Sequence, residues 1–161
     1  MLHKDDYLYF AERALDGMTG IVADLGDDLA NTKPALPGAN SPFALLTHCL
    51  GVVEAWGGGF VSGRYIERDR DAEFLATGSV ATLLVRVAVV RDIFRRDVMT
   101  ADPESPLAGE PPAEYDGPPR VMNTGAALQH IYEELAQHHG QMEQMRDLIH
   151  AVDRGALVVA Q

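Results

Sequence analysis

The chain has one cysteine, Cys49, so no internal disulfide can form. That is the usage expected of a protein in a reducing cytoplasm. Basic charge is scarce: 13 Lys and Arg stand against 24 Asp and Glu, for a net charge of −11. Phosphate backbones repel such a surface, and Arg95-Arg96 is the only basic doublet, so nucleic-acid binding is excluded as an expectation. Long hydrophobic runs are missing; the best stretch, Thr82 to Val90, is interrupted by Arg86. A membrane span needs about 18 apolar residues, so none is expected. The opening Met1-Leu2-His3-Lys4-Asp5-Asp6 has no apolar core of a secretory signal. There is no Gly-rich phosphate loop, no CxxC and no Glu-x-x-His, the last being what a di-iron bundle requires. What remains is ordinary for a globular domain: 161 residues, 47% hydrophobic and 23% charged, read as a single domain over 1–161.

Four segments carry helical periodicity. Near 4–29, Tyr7, Phe10, Ala14, Met18, Ile21, Leu25 and Leu29 recur at three- and four-residue steps. Ser41 and Pro42 open a second helix over 42–61, with Phe43, Leu46, Leu50, Val53, Trp56 and Phe60 on one face and Gly63 as its stop. One helical turn is expected around Ala72 to Ala76. Ser79 is the expected cap of a third helix over 80–100. Asn123 or Thr124 begins a fourth over 124–152, with the seam Leu128, Ile131, Leu135, His138, Met142, Met145 and Ile149. The link from Asp102 to Arg120 holds six of the nine prolines and is expected to be extended, covering one end of the helices near the site. The fold class is therefore all-α, a four-helix bundle with long crossover connections. The apolar tail Ala156 to Ala160 is expected to fold back or to meet a partner chain, which favours a homodimer.

Chemistry is concentrated in the last seam. His138 occupies a core position, and Glu134 lies four residues earlier, about 40° and about 6 Å away along the helix. A buried carboxylate beside a buried imidazole is costly without partners, and one metal ion would satisfy both. Glu–His pairs at this spacing also occur on helix surfaces without any metal. His48, near the start of the second helix, is a candidate third ligand; alone it reads more readily as a hydrogen-bonded histidine at the core edge. His130, one turn before Glu134, is a candidate fourth ligand or pocket wall, with a wall or surface position preferred. His139 points about 100° from His138 and is expected outside the site. Cys49 and Trp56 are expected in the core.

The segment His48-Cys49-Leu50-Gly51-Val52-Val53-Glu54-Ala55-Trp56 resembles the helix-two signature of the DinB-like superfamily. Glu134-Leu135-Ala136-Gln137-His138-His139-Gly140-Gln141 resembles its helix-four signature, and Arg146-Asp147 resembles a pair common there. The resemblance implies a four-helix bundle with one divalent metal, zinc first and nickel second, on His48, Glu134 and His138. Glu at the first helix-four position is similar to the mycothiol-dependent branch that includes maleylpyruvate isomerase. It is the metal-binding domain of that isomerase that is matched, not its additional C-terminal domain. The implied activity is thiol S-transfer, with mycothiol or a similar small thiol as co-substrate and an electrophilic small molecule as acceptor. A non-catalytic metal-binding stress protein, or a hydrolase using metal-activated water, remain open alternatives.

Overall fold

The computed structural model describes residues 3–155 apart from residue 116. Among them the chain is all-α, with no strand and one isolated bridge between Pro106 and Asn123. Helix α1 spans Lys4–Ala30 and α2 Pro42–Val52; α2 continues without a break as a π-helix over Val53–Val61. A short α3, Arg70–Glu73, precedes α4, Val80–Thr100, and α5 runs Thr124–Asp153. The tail from residue 156, on which the expectation of a packed or partnered C-terminus rests, lies outside the described residues.

The long helices share one apolar core. Helix α1 packs on α5, α4 and α2, while the π segment lies against both α4 and α5. The α4 stripe of Val80, Leu83, Val87, Val90, Phe94 and Val98 is buried throughout, as is the α5 seam except for the half-buried His138. On α1 one member was misplaced. Phe10 is 46% exposed, and Leu8, Ala11, Leu15 and Val22 complete the buried face instead. At about 100° per residue Phe10 lies about 60° from Tyr7 on the side away from Leu8, Ala11, Leu15 and Val22, so it falls beyond the edge of the buried face while the later members of the pattern stay on it. The Tyr7 hydroxyl ties α1 to α5 by donating to the Leu128 carbonyl at 2.5 Å.

The starts of α2 and α5 follow local capping chemistry. Ser41 Oγ accepts from the Ala44 amide with Pro42 at the first turn, and Asn123 Oδ1 accepts from the Ala126 amide. Ser79 occupies the cap position of α4 but makes no such bond. The Asp27 carboxylate does this work, accepting from the Val80 amide at 2.7 Å. The expected turn around Ala72 to Ala76 is found slightly earlier, as α3, capped by Asp69.

The expectation that no segment is apolar enough for a membrane span is corrected by the α2–π segment. Pro42–Val61 passes by length and composition, and 78% of its most apolar window is buried inside the fold. Its apolarity is explained by position: every residue of α2 is buried, so it has no solvent face to make polar.

Candidate metal centre

The site is built on the second turn of α2. His48 is buried, and the Phe74 ring stacks on it with centroids 4.4 Å apart. Its Nδ1 lies 2.9 Å from Glu73 Oε2. Glu73 is itself buried and is gripped by Arg68, whose Nε donates to Oε1 at 2.7 Å and Nη2 to Oε2 at 2.8 Å. Gly51 makes room for this pair: a Cβ there would stand 1.9 Å from Glu73 Oε1. Arg68 is covered in turn by the Tyr115 ring, 4.8 Å from its guanidinium carbon. The proline-rich connection therefore does reach the site, but at two removes, through Tyr115, Arg68 and Glu73.

The opposite wall is α5. The i, i+4 spacing sets Glu134 and His138 on one face, with His138 Nε2 3.4 Å from Glu134 Oε2. His48 Nε2 lies 3.5 Å from the same oxygen. One ligand atom from each of the three residues lies within 4.8 Å of the other two, a group that could hold a metal ion. His138 Nδ1 faces Gln141 Oε1 at 3.0 Å.

These separations fit a shared cation better than direct hydrogen bonds. Nitrogen–oxygen hydrogen bonds are shorter, about 2.7–3.2 Å. Ligands placed about 2.0–2.2 Å from one tetrahedral ion stand roughly 3.3–3.6 Å apart. The tautomers agree as well. A proton on Nδ1 of each histidine is received by Glu73 or Gln141, which leaves both Nε2 lone pairs facing Glu134. Second partners of this kind orient metal-binding histidines and raise their basicity.

The electrostatics describe the same place without a cation. Polar contact with His138, then with His48, holds the Glu134 carboxyl well below the usual carboxylate range. Burial alone would lower the pKa of His48, but its contacts with Glu134 and Glu73 outweigh burial and raise it. Burial likewise opposes ionisation of Glu73, and bonds from His48 and Arg68 prevail, so its carboxyl is held low. A positive charge is thus favoured between two carboxylates, and either an imidazolium or a metal ion supplies it.

The remaining candidates fall outside the cluster. His130 is buried edge-on against Trp56, ring centroids 4.6 Å apart, and its Nδ1 is 3.5 Å from Glu133. His139 packs over Gly17 and faces Glu143. Cys49 is fully buried, and burial pushes its thiol pKa up, so it is no nucleophile. Arg146 and Asp147 pair with each other at 2.8 Å. Sequence reasoning missed Arg68 and Glu73. They lie in an aperiodic connection of alternating charges, where only the fold distinguishes a buried carboxylate from a solvated one.

No curated protein and no solved structure matches this chain. A family model described as the DinB superfamily matches residues 11–142, most of the chain and all three residues of the cluster. The α2 and α5 signatures and the His/Glu/His convergence both fall inside that match, and the chain belongs to the DinB superfamily.

Proposed function

We propose that this protein is a metal-dependent thiol S-transferase of the mycothiol-using branch, a single-domain four-helix bundle over 1–161 that works in the cytoplasm as a homodimer. The observation that carries the reading is the convergence of His48, Glu134 and His138 on one point. Three protein ligands leave a coordination position open, the arrangement of catalytic rather than structural sites. When bound there, a zinc-class ion lowers the pKa of a coordinated thiol and keeps it as the thiolate.

The chain's own residues set the conditions for that step. Two neutral imidazoles and one carboxylate leave a net charge of +1 around a divalent ion, which favours a thiolate over a thiol. Glu73 holds the proton on His48 Nδ1, so Nε2 stays available as a ligand. Glu134 and His138 retain partial exposure, so a small thiol can reach the centre from the α5 side. The thiol has to come from outside the protein, because Cys49 is sealed in the core. The strongly acidic surface fits small-molecule partners and no nucleic acid.

The test is metal analysis of the purified protein followed by turnover of a generic electrophile, with and without metal and with and without a low-molecular-weight thiol. Turnover that needs both supports S-transfer. Turnover with metal alone identifies metal-assisted hydrolysis. One bound ion with no turnover in either case identifies a metal-binding protein without catalysis.

A further inference from the structure

One side of the α1–α5 seam carries aromatic surface that the described residues leave uncovered. Tyr9 is 61% exposed and Phe10 nearly half exposed, and the two rings meet edge-on with centroids 5.1 Å apart. Phe10 continues to Tyr132 on α5, 6.5 Å away, so three rings form one ridge across the seam. Single exposed apolar side chains are ordinary, whereas contiguous ones mark contact surfaces. Farther along the same seam lies a hollow of about 270 Å³, lined by Gly17, Gly20, Asp24, His139 and Glu143 among others. A Cβ added at Gly20 would meet nothing within 4 Å.

Helix geometry sets the ridge and the hollow on one side of the molecule. Gly20 follows Tyr9 by about three turns, roughly 16 Å along α1, and the two positions point within about 20° of each other. Helices α1 and α5 run parallel, with Tyr7 bonded to Leu128 near their starts and His150 Nε2 3.3 Å from Asp24 near their ends. A second copy related by a two-fold axis that crosses α1 between Ala14 and Leu15 therefore lays its ridge in this hollow and receives this ridge in its own. The same rotation sets Arg13 of one protomer opposite Asp16 of the other. Arg13 is exposed and has no ion pair among the described residues. Asp16 is bonded to Arg91 yet keeps more than half of its side chain in solvent.

We propose that this face is a two-fold interface between copies of this chain, with Tyr9 of each protomer seated over Gly20 of its partner. The inference rests on the homodimer proposed above and names its surface. The aromatic ridge supplies the apolar centre, and the Arg13–Asp16 pairs fix the register. Asp24 and Glu143 line the hollow and offer carboxylate acceptors to the entering tyrosine hydroxyl. On α5, Glu134 and His138 point about 160° and about 120° away from Tyr132, so the pairing leaves the metal centre open.

Cys49 is sealed in the core, so introduced cysteines report on the interface alone. Tyr9→Cys and Gly20→Cys combined in one full-length chain should be oxidised by diamide to a covalent dimer. Either change alone should give none, because two copies of one position stand roughly 16 Å apart along the paired helices. Gly20→Leu fills the hollow on an open helix face, where leucine is also the better helix former, so the fold is kept. In sedimentation the unaltered protein should be a dimer, and Gly20→Leu should raise its dissociation constant at least about tenfold. The proposal is overturned if the unaltered protein is a monomer, or if the single-cysteine variants cross-link as readily as the pair. It is equally overturned by a dimer that persists in Gly20→Leu and gives no paired cross-link; that result keeps the homodimer and discards this face. None of these readouts involves metal or thiol turnover, so failure of the S-transferase reading would leave them intact.

Discussion

His48 and His138 offer the same atom, Nε2, to the same carboxylate, yet their surroundings differ sharply. His48 sits on a helix buried on every side, stacked under Phe74 and bonded to a buried carboxylate that is itself held by a buried arginine. His138 sits on the half-open face of α5 and is steadied by Gln141, which is exposed. One side of the centre is fixed by the core, and the other can adjust. Such a division suits a site that must hold a cation and admit a ligand: the α2 side fixes the position, and the α5 side gives way.

The largest effect separating the two sides is on folding. Glu73→Ala strands the Arg68 guanidinium in the core, and breaking a buried pair in this way costs about 3–5 kcal/mol. The loss should appear in urea denaturation of the metal-free protein. Gln141→Ala should change the same midpoint by less than about 0.5 kcal/mol, because its partners reach solvent. Equal destabilisation by both variants would erase the distinction.

The next effect is on metal affinity. Glu73→Gln keeps the shape but weakens the hold on the His48 Nδ1 proton, and loss of such a partner costs about 10–100-fold in affinity. Gly51→Ala should act in the same direction, since its methyl would displace Glu73 Oε1. Gln141→Ala should fall at or below the lower end of that range. Competition titration with a chromogenic zinc chelator gives the comparison.

A smaller effect concerns pH. The pKa of His48 is raised above 6.5 in the folded metal-free protein, so its contribution to stability is complete below about pH 6.5 and fades as pH rises through the raised value. Glu134 and Glu73 are depressed below 4.5, so theirs is present above about pH 4.5 and is lost as pH falls through the lowered values. The metal-free protein should therefore be most stable in mildly acid solution, with thermal midpoints declining on both sides. Metal affinity should rise on the alkaline side, because the ion displaces the His48 proton. A metal-free protein whose stability climbs steadily from pH 6 to 8 would contradict the placing of that charge.

The difference between the two sides also governs what could be read from the sequence. The α5 side was legible because a regular seam fixes which residues share a face: His138 interrupts an apolar row and Glu134 is one turn away. The four long helices were legible for the same reason, and their ends agree closely with the caps at Ser41 and Asn123. The α2 side was not. His48 could be named a candidate from its place near the start of the second helix, but only resemblance favoured it as a ligand, since a helix buried all round marks no one face for the site. Its partners Glu73 and Arg68 come from an aperiodic link, and the Asp27 cap of α4 crosses 53 residues of sequence. No periodicity in the sequence marks the widening to π pitch over Val53–Val61, the segment that packs against α4 and α5.

In the proposed centre, a fixed histidine on α2 and an adjustable Glu–His pair on α5 share one divalent ion. X-ray absorption spectroscopy of the zinc-loaded protein, on the unaltered chain and on His48→Ala and His138→Ala, tests it most directly. The expected result is one zinc per chain bound by nitrogen and oxygen at about 2.0–2.2 Å, including two imidazoles, with most of the metal lost in either variant. A protein that binds no zinc, or a two-imidazole shell that persists unchanged without His48, would contradict it.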